Sequence, residues 1–210
     1  MNHSKIFYSK RFITQAGEVV VEGPVAPETL AELDFHEGLK AFRVPDQQKK
    51  ALVGIAGLPE GRIIIARQGQ QVVGYVTYLY PDPMERWAEA KLPNLLELGA
   101  IEIAAPYRAG GLAKGLLEVS FMDDAMNDYI VISTEYYWHW DLDQTGITVW
   151  AYKDVMKKIM GSVGMEWYAT DDPEINSHPA NMLMARIGTR VDLDSVEAFN
   201  DCRFKHRHFF

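Results

Sequence analysis

Residues 97–117 read ELGAIEIAAPYRAGGLAKGLL, and this stretch leaves the chain little choice of local structure. The alternating apolar residues of 96–104 predict a strand, Pro106 and the pair Gly110-Gly111 predict a turn, and the apolar period that follows predicts a helix over about 111–127. A strand that runs straight into a glycine turn and a helix start gathers several unpaired backbone N–H groups at one point. The helix dipole adds partial positive charge there. Glycine tolerates φ > 0 and lets an anion approach the backbone with no Cβ in the way, and Arg108 at the lip adds a cation. Two readings are open: a glycine-capped corner that holds nothing, or a cradle for a pyrophosphate. The run is neither a Walker loop, since Gly115 and not Ser or Thr follows Lys114, nor a GxGxxG fingerprint.

The rest of the sequence sets this corner in an alternating pattern. AGEVVVEG (16–23) reads as a strand stopped by Pro24. APETLAEL and DQQKKALVGIAG (46–57) read as helices, and residues 61–81 as a hairpin around Gln68-Gly69-Gln70. YIVIST (129–134) is a short buried strand. The segment 145–161 is a helix with Asp143 and Thr145 as possible N-caps, and GMEWYAT (164–170) is a further strand. HPANMLMARIG (178–188) reads as a short helix, and the C-terminal tail as a last strand or an extended arm. Together these predict a mixed α/β sheet with helices on both faces. No repeat or low-complexity linker interrupts it. The expected divisions are an N-terminal strand and helices (1–60), a core (61–170) and a C-terminal helix with tail (171–210).

Composition narrows the function classes. The 210 residues suffice for one domain with its own core. Cys202 is the single cysteine, so no intrachain disulfide forms. The opening MNHSKIFYSKRF has no apolar signal-peptide core, and no apolar run approaches the roughly 20 residues of a membrane span, so a cytoplasmic location away from membranes is expected. A net charge of −8 argues against a general nucleic-acid binder. The final CRFKHRHFF, by contrast, is basic and aromatic. The six histidines and one cysteine lack zinc-type spacing, so no metal is expected.

The spelling RAGGLA (108–113) fits the R/Q-x-x-G-x-G/A signature of the GNAT (Gcn5-related) N-acetyltransferases, and IAAPYRAGGLAKGLL resembles that family's acetyl-CoA-binding strand, turn and helix. The resemblance extends over roughly 60–170, with hairpin, strand, helix, strand, helix and strand in the family's order. It implies a mixed central sheet with a splayed strand pair. It also implies acetyl-CoA held by Ile103, Ala104, Arg108, Ala109, Gly110, Gly111, Leu112 and Ala113. The segments YYWHWDLDQTGITVWAYKDVMKKIMG and SHPANMLMARIG, with the basic aromatic end, are further similar to GNAT protein acetyltransferases of acetoin utilisation. Those are expected to acetylate, and so inactivate, acetyl-CoA synthetase on an active-site lysine.

Such a transfer needs the acceptor ammonium to lose a proton and the developing oxyanion to be held. Glu97 and Glu102 are the candidate bases. They lie five apart on one strand, hence on opposite faces unless a bulge intervenes, and either could equally be a solvated strand acid. Glu102, set among the apolar residues of AIEIA, is an acid that packing would not choose there; such surroundings raise a carboxyl's pKa and make it the favoured base, with Glu97 second. Tyr152 is the candidate proton donor to the leaving thiolate, although it sits on the helix's apolar stripe and could be simple core. Asn181 resembles a late family motif as well. EYYWHWD (135–141) either floors an acceptor channel or covers the core, and His178 reads as a loop residue. The tail residues Arg203, Phe204, Lys205, Arg207, Phe209 and Phe210 either complete a strand or dock on a partner. Two other function classes stand beside this one: acetylation of a small amine, and a non-catalytic acyl-CoA-sensing inhibitor.

Overall fold

The computed structural model describes residues 1–205. In chain order the strands and helices are β1 (Tyr8–Thr14), β2 (Gly17–Gly23), α1 (Pro27–Glu32), β3 (Asp34–Phe35), α2 (Pro45–Ala56), β4 (Arg62–Gln68), β5 (Gln71–Leu79), β6 (Leu95–Ile103), α3 (Leu112–Ser120), β7 (Ile130–Glu135), α4 (Leu142–Thr145), α5 (Val149–Gly161), β8 (Glu166–Tyr168), β9 (Met182–Ile187) and α6 (Leu193–Arg203). Two compact units, both discontinuous in sequence, divide this chain: 2–79 with 98–126, and 80–97 with 127 onward.

In the first unit β1 pairs antiparallel with β2, β2 with β4 and β4 with β5, while β3 pairs parallel with β5. β4 and β5 are the predicted hairpin, closed by Gly69 at φ 58°. Ile63, Ile65, Val73, Tyr75 and Leu116 are fully buried in this unit. Each such aliphatic side chain contributes about 1.5–3 kcal/mol by leaving water. The strand β1 has no counterpart in the predicted pattern. Most of its side chains are exposed, so it shows no alternation for sequence reading to find.

The predicted helix over 111–127 stops at Ser120, and a separate 3-10 turn follows at Asp124–Asp128. Asp123 explains the stop. One carboxylate oxygen takes the Arg62 guanidinium at 2.7 Å and the Ile6 N–H, and the other takes the Ala125 N–H. A side chain that bonds its own backbone in this way competes with helix continuation.

In the second unit the first residues of β6 pair parallel with β7 over Leu95, Leu96 and Glu97, and the register ends there. β7 pairs antiparallel with β9, and β9 with β8. Trp87, Leu95, Ile130, Ile132, Leu183 and Phe199 form the core of this unit.

Two expectations are corrected here. Residues 182–187 are a central strand and not a helix. Met, Leu and Ala favour helix only weakly, and the gain from burying Met182, Leu183, Met184 and Ala185 between two partner strands overrides that preference. α5 is capped by Thr148, whose hydroxyl accepts the Ala151 N–H, and not by Asp143 or Thr145. Those two lie in α4, which ends at Gly146 in the left-handed region. α6 carries the chain as a helix as far as Arg203, the first residue of the expected strand or arm. Asp192 caps α6 by accepting the Ser195 N–H at 2.7 Å, and Ser195, Phe199 and Cys202 form its buried stripe. Of the tail, Arg207, Phe209 and Phe210 lie outside the described residues.

Candidate active site

The glycine turn belongs to the first unit. Residues Ala105–Gly110 form a 3-10 turn, and Gly111 at φ 70° is the N-cap of α3, with no side-chain cap bond. The first helical bond runs from the Gly115 N–H to the Gly111 carbonyl, so the N–H groups of 112–114 have no partner within the helix. The two central glycines serve different ends. A Cβ on Gly111 would meet nothing within 4 Å, so the space before the helix is open and its need is conformational. A Cβ on Gly110 would lie 2.6 Å from the Thr14 side chain, so that glycine permits close approach to β1. Leu112 is fully buried and anchors the start of the helix, with Ala113 half-buried beside it.

Arg108 is tethered across this corner: its Nε donates to the Ile103 carbonyl at 3.1 Å. The Ala104 N–H donates to the Val73 carbonyl at 2.9 Å. The strand end expected to offer backbone groups to a ligand therefore spends the Ala104 N–H within the sheet, while the Ile103 carbonyl keeps a second lone pair. This arrangement, an open and uncapped helix start beside a cation, fits an anionic diphosphate.

Glu102 lies in the same unit and is 6% exposed. One carboxylate oxygen accepts from the Ala41 N–H at 2.8 Å and the other from the Tyr75 hydroxyl at 2.7 Å. Burial, then the Glu102 charge and its bond, push the Tyr75 hydroxyl well above the ordinary tyrosine range, so it stays a donor. Both oxygens are thus occupied in tying β6 to β5 and to the loop before α2. Replacing Glu102 by Gln sets an amide N–H against one of these donors. The expected result is a loss of about 1–3 kcal/mol in stability, read as a lower urea midpoint, with a much smaller effect on turnover than a change at Glu97.

Glu97 lies in the second unit, where β6 still pairs with β7. It is half-buried, and one oxygen accepts from the Thr134 hydroxyl at 3.1 Å. Burial first, then the neighbouring charges of Glu85 and Asp82, push its carboxyl up to about 7 against the opposing pull of Thr134. A carboxylate that titrates near neutrality suits general-base work. The Glu85 carboxyl is pushed up too, by burial and by Asp82, Glu174 and Asp172.

Tyr152, on α5, stacks on Trp140 with ring centroids 5.1 Å apart. The Trp140 indole N–H donates to the buried Glu135, which also accepts from Ser133. Tyr136 stacks on Trp138, and Tyr137 packs 4.2 Å from His178. EYYWHWD is therefore a ring cluster around the 3-10 turn Tyr137–His139. Asn181 holds that turn by accepting the Tyr137 N–H and donating to the Glu174 carbonyl. Sequence reading did not single out Thr134 or Glu85, because neither lies in a recognisable motif, and it took Glu135 only as the first residue of EYYWHWD.

The tail residues within view are committed inside this unit. Arg203 lies over the Tyr168 ring at 4.9 Å and donates to the Ala169 carbonyl, its own carbonyl accepts from Thr170 and Asp171, and Lys205 pairs with Glu89. Phe204 follows the helix as its C-cap. Among the described residues no group of three or more His, Cys, Asp or Glu is placed to hold a metal ion. No helix among them is long and apolar enough to cross a membrane.

The arrangement of strands, glycine turn and helix has known counterparts. The crystal structure of the GNAT domain of S. lividans PAT superposes with a TM-score of 0.50 at 10% identity, over 85% of this chain and 96% of that one. The fold is thus that of the GNAT domain. No protein-family model matches the chain. The acetoin utilization protein AcuA of Bacillus subtilis (strain 168), however, is 56% identical over all 210 residues of both chains. The crystal structure of an acetoin utilization protein from Exiguobacterium sibiricum 255-15 is 52% identical, covers 97% of each chain and superposes with a TM-score of 0.95. The chain belongs to the AcuA family of acetoin utilization proteins.

Proposed function

We propose that this protein transfers the acetyl group of acetyl-CoA to a lysine amine of another protein, and that this protein is acetyl-CoA synthetase. The observation that carries the reading is the open, uncapped start of α3 behind the left-handed Gly111, in a chain with the GNAT fold. Membership of the AcuA family and the sequence resemblance supply the link to acetoin use and to the synthetase.

Acetyl-CoA supplies the activated acyl thioester. The N–H groups of 112–114 and the helix dipole hold its diphosphate, with Gly110 and Arg108 shaping the approach. Ile103 offers its carbonyl's free lone pair to the pantetheine. Glu97 takes a proton from the acceptor ammonium, directly or through one water, and leaves the amine lone pair free to attack. Tyr152, its ring fixed against Trp140, returns a proton to the departing thiolate. Glu102 is assigned here to holding the strand, since both its oxygens are engaged. No metal enters this scheme, and the setting is the cytoplasm.

Following synthetase activity during incubation with this protein tests the reading. Loss that develops with time and only when acetyl-CoA is present is the expected result. Immediate inhibition without acetyl-CoA would assign the protein to non-catalytic binding. Release of CoA with small amines but not with the synthetase would assign it to small-molecule acetylation.

A further inference from the structure

The chain carries a net charge of −8, yet one cavity collects cations. It has a volume of about 490 Å³ and lies wholly in the second unit, beside α5, β8 and the loop 169–181. Lys153 and Lys157, one helical turn apart, line it together with Trp167, Tyr168, Asn176 and His178, and no acidic residue does so among the described residues. The volume is that of a pocket for a small organic molecule.

The lining is fixed on one side and available on the other. The His178 ring stands between Tyr137 and Trp150, and its Nδ1 accepts the Ala180 N–H at 3.1 Å, which leaves Nε2 as its donor nitrogen. The Tyr168 ring is held by Arg203 and Phe199. Lys153 gives one hydrogen bond to the Pro179 carbonyl at 2.6 Å. Burial first and then the Lys157 charge hold its amine below the ordinary lysine range, with Asp154 opposing. Two amines that disfavour each other's charge gain from an anion placed between them. Trp167 meanwhile remains 55% exposed, a large ring face without cover on an edge strand.

We propose that this cavity binds a small organic anion carrying a flat ring, with its charge on Lys153 and Lys157 and its ring against Trp167. Cation and aromatic face together select this class: the amines take a phosphate or carboxylate, and the indole takes the unsaturated ring. The proposal rests on the cavity's own lining and not on the proposed acetyl transfer.

Isothermal titration calorimetry on the full chain tests this with AMP, benzoate and uncharged adenosine as probes. Saturable binding of AMP or benzoate at millimolar concentration is expected. It should weaken about tenfold or more in Lys157→Ala, the loss of one charge-assisted contact, and likewise in Trp167→Leu. Absence of binding by both anions, adenosine binding as well as AMP, or indifference to Lys157→Ala would each overturn the proposal. Both substituted residues are exposed and outside the unit's core, and an unchanged circular dichroism spectrum controls for folding.

Discussion

Glu97→Gln is expected to lower kcat for acetyl transfer by about 10²–10⁴-fold, the range lost when a positioned base is removed. The wild-type rate should rise with pH through an apparent pKa near 7, because the base acts only when deprotonated and its carboxyl is pushed up to about 7 by burial, Glu85 and Asp82. That limb should vanish in the variant. Stability should move the other way. The folded pKa lies above the ordinary value of 4.5, so the native state binds more protons than the unfolded chain between those pH values. Its stability therefore falls as pH rises from about 4.5 through about 7. Gln removes this decline while still able to meet the Thr134 hydroxyl. A variant that is inactive yet no less stable at pH 8 separates a base from a structural acid. Equal turnover in Glu97→Gln and wild type would remove Glu97 from the mechanism.

The largest expected effect on stability is Asp123→Ala. Arg62 and Asp123 are 2% and 1% exposed and lie 2.7 Å apart. Arg62 also donates to the Ser4 carbonyl, and Asp123 takes the N–H groups of Ile6 and Ala125. One buried pair thus ties the N-terminal segment to β4 and to the end of α3. Removing the carboxylate strands a guanidinium in the core and opens two backbone donors. A loss of about 3–5 kcal/mol follows, a large share of the 5–15 kcal/mol typical of a domain. Urea denaturation should show it as a lowered midpoint. The double variant Arg62→Met/Asp123→Leu should recover much of the loss, because apolar replacement of both partners leaves no uncompensated charge. A midpoint shift below about 1 kcal/mol in Asp123→Ala would mean that the pair is solvated.

Much of the first unit and its corner was legible because local chemistry and fold agree there. The β4–β5 hairpin carries β-branched runs around a glycine, and β6, the glycine turn and α3 follow one another with no long-range help. Reading failed where the tertiary environment decided. Met182 to Ala185 look helical alone and become a strand between two partners. Phe199 and Cys202 form a stripe too sparse to stand out against the polar face of α6. At the candidate site, residue types favoured Glu102 over Glu97, because Glu102 stands among apolar residues. Their partners separate them: Tyr75 and Ala41 engage Glu102 from 27 and 61 residues away, and Glu85 raises the Glu97 carboxyl across a segment with no motif. The basic end reads in sequence as a last strand or a docking arm, because nothing in its local pattern decides between them. Arg203, where it begins, is folded onto Tyr168.

Mapping acetyl-lysines on acetyl-CoA synthetase by mass spectrometry, during incubation with this protein and acetyl-CoA, tests the central claim most directly. The account predicts one acetylated active-site lysine whose occupancy tracks the loss of synthetase activity, and no such modification with the Glu97→Gln variant. Activity lost with no acetyl group added, or acetyl groups scattered equally with wild type and variant, would contradict it.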